Sequence, residues 1–220
     1  MKYIDELIER RKHLEPIKYD IVRAFEIIRD CYKKGKKVLI CGNGGSASDS
    51  AHIVGELMKG FKKKRTISSD VEDKLYKTIE DYFDKNGNIN VKKKMDEMKE
   101  SLEQGLPTID LTAFTSLNSA FANDKNWDYA YANGVLGFGD IDDVLIAITT
   151  SGNSKNVVNA SLVAKAKGIK VISFTGKDGG NIKDIADVNI IAPSDETFII
   201  QEDHIAIYHA ICLDIEDEFF

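Results

Sequence analysis

Cysteine is scarce and unpaired in this chain. Cys31, Cys41 and Cys212 make an odd count with no C-x-x-C spacing. That excludes a disulfide framework and a structural zinc site of the paired-cysteine type. The three are read as reduced thiols in the core of a cytosolic protein. Long apolar runs are missing too. Nothing approaches the roughly 18 consecutive apolar residues of a membrane span. Residues 1–15 mix Lys2, Arg10, Arg11 and Lys12 with acids, where a secretory signal needs an apolar stretch. The expectation is a cytoplasmic protein that does not meet a membrane. Basic charge is also in deficit: 30 Lys and Arg against 36 Asp and Glu leave a net charge of −6. Nucleic acid is a poor partner for such a chain, because phosphate contact needs a basic surface. The sequence has no Gly-Lys-Ser/Thr, which excludes a P-loop.

What is present fits an α/β fold. The 220 residues, 43% hydrophobic and 30% charged, are enough for a core without staples. Short apolar runs at Lys37–Cys41, Val144–Ile148, Val171–Phe174 and Val188–Ile191 read as strands, with Thr108–Thr112 as another. Helical spacing fills the gaps: 17–34, about 47–59, near 154–167 and about 196–217. Apolar strands alternating with helices predict a parallel sheet covered on both faces. Residues 1–35 form an N-terminal helical arm. Residues 66–105 stand apart: Val71, Leu75, Ile79, Tyr82 and Phe83 space one amphipathic helix, and Met95, Met98 and Leu102 a second, separated by Asn86-Gly87. This reads as an inserted helical hairpin within one domain spanning 1–220. Asp84-x-Asn86-x-Asn88 resembles an EF-hand start, but Ile89 and Met95 occupy the positions that need Gly and Glu.

Two strand-to-helix turns carry chemistry. Gly42–Ser48 (GNGGSAS) gives backbone that can approach a ligand, a helix N-terminus with free N–H groups, and the Ser46 hydroxyl. Thr149–Ser154 (TTSGNS) offers four hydroxyls at the carboxyl end of a strand, more than a helix cap needs. Together they suit a monophosphate held without lysine. Gly42-x-Gly44-x-x-Ala47 also fits a dinucleotide fingerprint, yet the basic run Lys62–Arg65 falls where that fingerprint needs an acid. A glycine turn with no ligand stays open as well.

His52 and Glu56, four residues apart, share one helix face behind the first turn. A carboxylate and an imidazole suit the proton transfers between C1 and C2 of a ketose and its aldose. A plain surface contact is the alternative. The last helix carries QEDHIAIYH (Gln201–His209) among apolar neighbours, where polar groups need partners. His52, Glu56, Gln201 and His209 could also surround a divalent metal such as zinc. Gln201 and His209 are separated by about 12 Å on a helix rising 1.5 Å per residue. One intact helix cannot bring both to one metal. Either one comes from a neighbouring subunit or only one takes part, so an active site at a subunit interface is expected.

The motifs GNGGSASDSAH-x3-E, AND at 122–124, TTSGNS, TGKDGG at 175–180 and IQEDHIAIYH at 200–209 resemble the phosphoheptose isomerases of the sugar-isomerase (SIS) domain family. The resemblance covers nearly the whole chain outside about 62–105. It implies a three-layer sandwich with a five-stranded parallel sheet, and a homotetramer with shared sites. It implies conversion of D-sedoheptulose 7-phosphate to D-glycero-D-manno-heptose 7-phosphate. By position, Glu56 would be the base that forms the enediol and His209 the acid. His52, Glu56, Gln201 and His209 would be zinc ligands. Asn43, Gly44, Gly45, Asn123, Asp124, Thr149, Thr150, Ser151 and Ser154 would contact substrate, with Ser46 and Gln201 beside the same ligand. The chain departs from the family pattern at Thr149, where serine is usual, at Phe198-Ile199, where Ala-Arg is commoner, and in the hairpin. A non-catalytic binding protein of the same family, or an isomerase of another sugar phosphate, is the alternative. The presence of both Glu56 and His209 favours an enzyme.

Overall fold

The computed structural model describes residues 1–83 and 90–220. Five strands form: β1 (Val38–Cys41), β2 (Thr108–Asp110), β3 (Val144–Ile148), β4 (Lys170–Thr175) and β5 (Val188–Ile191). Among the described residues, nine α-helices surround them. These are α1 (Lys2–Arg10), α2 (Lys18–Lys33), α3 (Gly45–Met58), α4 (Ser69–Phe83), α5 (Val91–Ser101), α6 (Thr115–Asp124), α7 (Ala130–Phe138), α8 (Lys155–Ala166) and α9 (Thr197–Phe219). No helix among the described residues is long and apolar enough to cross a membrane.

Every strand pair is parallel, in the order β2-β1-β3-β4-β5. The chain leaves β1 for β2 on one side and continues through β3 to β5 on the other. The crevice beyond the carboxyl ends of β1 and β3 is where such sheets bind ligands. Their register sets Cys41 beside Ala147, so the two turns that follow these strands start side by side.

Strand side chains alternate between two apolar layers. Ile40, Ile146, Ile172 and Ile190 pack with α1, α2, α3 and α9. Leu39, Cys41, Leu145 and Val171 pack with α7 and α8. The N-terminal arm is docked, not free. Ile4, Leu7, Ile21 and Phe25 are buried, and the Asp214 carboxylate of α9 accepts from the Tyr3 and Ile4 N–H groups at 3.1 and 2.9 Å. All three cysteines are free and buried.

The 66–105 segment forms the two expected helices, α4 and α5, which pack on each other around the buried Ile79 and Met95. The expected Asn86-Gly87 turn and the Asp84-x-Asn86-x-Asn88 run lie outside the described residues, apart from Met95 on α5. The base of the segment is tied to the end of α3: Gly60 N–H donates to Glu103 at 2.7 Å, and Leu106 N–H to the Leu57 carbonyl at 3.0 Å. Helices α6 and α7 are additional to those expected from periodicity.

Candidate active site

The first turn leads from β1 into α3. Gly44 adopts φ 56°, a conformation L side chains rarely take. The Ser46, Ala47 and Ser48 N–H groups bond back to the carbonyls of Asn43 and Gly44, leaving Gly44 and Gly45 exposed to a ligand. Two side chains brace the loop. Tyr131 Oη donates to the Gly42 carbonyl at 2.7 Å, and the Asn43 and Asn156 amides pair reciprocally at 2.9 Å. Ser46 itself is buried.

The second turn leads from β3 into α8. Thr149 Oγ1 and Ser154 Oγ lie 3.0 Å apart, and Ser151 Oγ accepts from Asn153 N–H at 3.2 Å. Gly152 sits at φ 67°, and a Cβ there would lie 1.9 Å from the Gly179 carbonyl oxygen. The TGKDGG turn after β4 thus buttresses this loop, with Gly176 N–H donating to the Thr150 carbonyl at 3.1 Å.

Helices α3 and α9 lie side by side. Gly45 faces Gln201, whose Nε2 comes so close that a Cβ on Gly45 would lie 2.3 Å from it. Two turns further on, His52 meets Tyr208 and His209. His52 Nε2 lies 3.1 Å from Glu56 Oε1 and 3.4 Å from His209 Nε2, and His52 Nδ1 lies 2.8 Å from Tyr208 Oη. Tyr208 Oη also lies 3.4 Å from Asp49 Oδ1. Burial, with His52 adjacent, holds His209 below the ordinary histidine pKa, and Glu56 opposes that shift. His209 is therefore a neutral imidazole at pH 7, able to give or take a proton. Burial, reinforced by Asp49, raises the Tyr208 phenol, so it stays a donor; burial also raises Asp49.

A nitrogen from each of His52 and His209 and an oxygen of Glu56 lie within 4.8 Å of one another. Glu56 Oε2 is buried without a hydrogen-bond partner, and Lys59 Nζ stays 3.9 Å away. Two imidazoles, a carboxylate and an unsatisfied buried oxygen fit a divalent cation of the zinc type.

Within one chain the structure therefore gathers His52, Glu56 and His209 and leaves Gln201 two turns away at the first turn. Asn123 and Asp124 sit exposed at the end of α6, bonded to each other at 2.8 Å. Among the described residues neither is hydrogen-bonded to either turn. Sequence reasoning missed three contributors. Asp49 and Tyr208 brace His52. Arg65, fully buried, binds the Glu216 carboxylate at 2.9 Å and the carbonyls of Leu57 and Glu56 at 2.6 and 3.0 Å. Glu216 also accepts the N–H groups of Phe61, Lys62 and Lys63. The spacing of Asp49 three residues before His52 was the available signal for the first of these.

The fold and this cluster define a parallel α/β domain with two Gly- and hydroxyl-rich turns at adjacent strand ends and a His–Glu–His cluster between α3 and α9. The SIS domain family matches residues 126–213, and a second SIS domain family matches residues 2–73. The phosphoheptose isomerase of a Nitratiruptor species is 36% identical over 218 residues, 97% of this chain and 96% of that protein. The phosphoheptose isomerase of Clostridium acetobutylicum is 38% identical over 89% of this chain and 80% of its own length. Among solved structures, phosphoheptose isomerase from Neisseria gonorrhoeae superposes with a TM-score of 0.72 at 30% identity, covering 97% of this chain and 94% of that one. This chain belongs to the phosphoheptose isomerase family of SIS-domain proteins.

Proposed function

We propose that the chain interconverts D-sedoheptulose 7-phosphate and D-glycero-D-manno-heptose 7-phosphate. The observation that carries this is the meeting of His209 from α9 with Glu56 of α3, the helix that opens at the first of two phosphate-competent turns set on adjacent strand ends. The Gly44–Gly45 edge and the Thr149, Thr150, Ser151 and Ser154 hydroxyls hold the phosphate and sugar through N–H and O–H donors. The amide of Asn43 and the Ser46 hydroxyl lie beside the same turn. The anchored sugar directs C1 and C2 toward α9. Glu56, whose Oε2 makes no hydrogen bond, takes the C1 proton of the ketose, giving an enediol. The resulting carboxylic acid returns a proton to C2, giving the aldose. His209, neutral at pH 7, moves the proton between the C1 and C2 oxygens.

His52, Glu56 and His209 are the residues that would hold a zinc-type cation, with Gln201 joining from another subunit. Such a cation supplies Lewis-acid polarisation of the sugar oxygens when bound. A homotetramer in the cytoplasm, with sites completed across subunit interfaces, accompanies this reading. The exposed Phe198, Ile199 and Ile205 around Gln201 on α9 support it.

The test is incubation of the purified protein with sedoheptulose 7-phosphate, followed by NMR of the sugar carbons. Appearance of the aldose 7-phosphate is expected. Tight binding with no turnover would favour a non-catalytic sugar-phosphate sensor. Faster turnover of another ketose phosphate would reassign the substrate.

A further inference from the structure

Tyr208 and Asp49 form a buried hydrogen-bond path to His52 that the proton transfers above do not use. Tyr208 is 2% exposed and Asp49 is 6% exposed. Tyr208 bridges the helices from α9, its hydroxyl 2.8 Å from His52 Nδ1 and 3.4 Å from Asp49 Oδ1. Asp49 Oδ2 is buried with no hydrogen-bond partner. Burying a carboxylate oxygen without a partner is costly, and it leaves Asp49 with acceptor capacity open to a neighbouring donor.

Two arrangements of the same protons are available. In one, Tyr208 O–H donates to His52 Nδ1, and His52 Nε2–H donates to Glu56 Oε1 at 3.1 Å. In the other, the ring proton sits on Nδ1 and is donated to the Tyr208 oxygen, while the tyrosine hydroxyl turns to donate to Asp49. That second arrangement frees the Nε2 lone pair, which faces Glu56 and His209. No proton is gained or lost; one changes ring nitrogen and one hydroxyl rotates.

We infer that Tyr208 and Asp49 are positioning residues that set the His52 tautomer and thereby the affinity of His52, Glu56 and His209 for a divalent cation. The inference rests on the reading of those three as cation ligands. Partners on the far ring nitrogen commonly orient a ligating histidine, and their loss costs about 10–100-fold in metal affinity or activity. Tyr208→Phe keeps the ring that packs edge-on against His52 and His209 and removes only the hydroxyl.

The experiment is zinc titration of chelator-treated full-length protein in competition with a chromophoric chelator. Wild type is compared with Tyr208→Phe and Asp49→Asn. The expected result is zinc affinity about 10–100-fold weaker in Tyr208→Phe and a smaller loss in Asp49→Asn. Histidine nitrogen NMR gives a second readout, the His52 signal being assigned with His52→Gln. Zinc-loaded wild type should carry the His52 proton on Nδ1. Unchanged zinc affinity in Tyr208→Phe, no zinc binding by wild type, or a His52 proton on Nε2 in the loaded protein would each overturn the inference. If Tyr208→Phe does not fold, Asp49→Asn and the wild-type NMR still decide it. Sugar turnover is scored separately. Wild type that isomerises the sugar with unaltered zinc binding in Tyr208→Phe loses this inference alone. Altered zinc binding without turnover by wild type loses the isomerase reading alone.

Discussion

The seam between α3 and α9 and the α4–α5 pair both carry charged and polar side chains, yet they are held together differently. At the seam, polar groups meet across the packed segments: buried Arg65 binds buried Glu216, and buried Tyr208 reaches His52. In the α4–α5 pair the charges are solvated. Lys74 reaches Asp70 within one helix at 2.7 Å, and Lys99 pairs with Glu72 across the two. Only Ile79 and Met95 are buried there. Buried ion pairs are costly to break from one side, while exposed ones contribute little. The seam therefore fixes geometry, and the hairpin is a loosely coupled addition anchored at its base.

The largest stability effect is expected from Arg65→Ala. It strips the carbonyls of Glu56 and Leu57 of a buried donor and leaves Glu216 without its cation, costing about 3–5 kcal/mol. Denaturant unfolding measures it. A loss below about 1 kcal/mol would place the seam and the hairpin on equal terms.

Acid provides the next contrast. His204 of α9 is fully buried, donates Nε2–H to the Thr175 carbonyl at 2.9 Å and has Asp203 as its charged neighbour. Burial pushes its pKa down to about 4, against 6.5 for an ordinary histidine. The unfolded chain takes up this proton near pH 6.5 while the folded one resists it. Stability is therefore full above pH 6.5 and falls by about 3 kcal/mol toward pH 4. His204→Gln should flatten that part of the pH–stability curve relative to wild type. Parallel curves would remove His204 from the account.

Truncations sharpen the comparison further. Ile207→Ala at the seam is expected to cost about 2–5 kcal/mol, and Ile79→Ala in the hairpin about 2 kcal/mol or less, because an exposed pair can collapse around the missing atoms. Thermal unfolding separates them, and sugar turnover should be unchanged in Ile79→Ala. Smallest of all, Lys74→Ala removes an exposed pair and should change stability by less than about 0.5 kcal/mol.

The sheet was legible because its strands are short apolar runs between helical periods, and two of the five observed spans, β3 and β5, match the expected ones residue for residue. Helix α7 was not, since AYANGVLGF is apolar nearly throughout and has no stripe of period 3.6. Helix α6 is rich in Ser and Asn, which favour caps and turns over helix interiors. The turns and the residues of the acid–base cluster could be picked out by residue type and spacing. Arg65 could not, because it ends the run Lys62–Lys64 and nothing in a basic run marks the one member that turns inward. Tyr208 was equally hidden: beside His209 in the chain, it reads as an apolar helix position until α3 is packed against it. Nor could periodicity tell which of Gln201 and His209 would face His52; that depends on how α9 is aligned along α3, which packing alone sets.

The claim on which the rest depends is that one carboxylate and one imidazole, from separate helices, handle the protons of a single sugar phosphate. Turnover of sedoheptulose 7-phosphate by wild type, Glu56→Gln and His209→Ala, each confirmed folded by circular dichroism, tests it most directly. Conversion by wild type is expected, with a fall of at least about 100-fold in each variant, the ordinary contribution of a positioned acid or base. Wild-type rates persisting in both variants would contradict it.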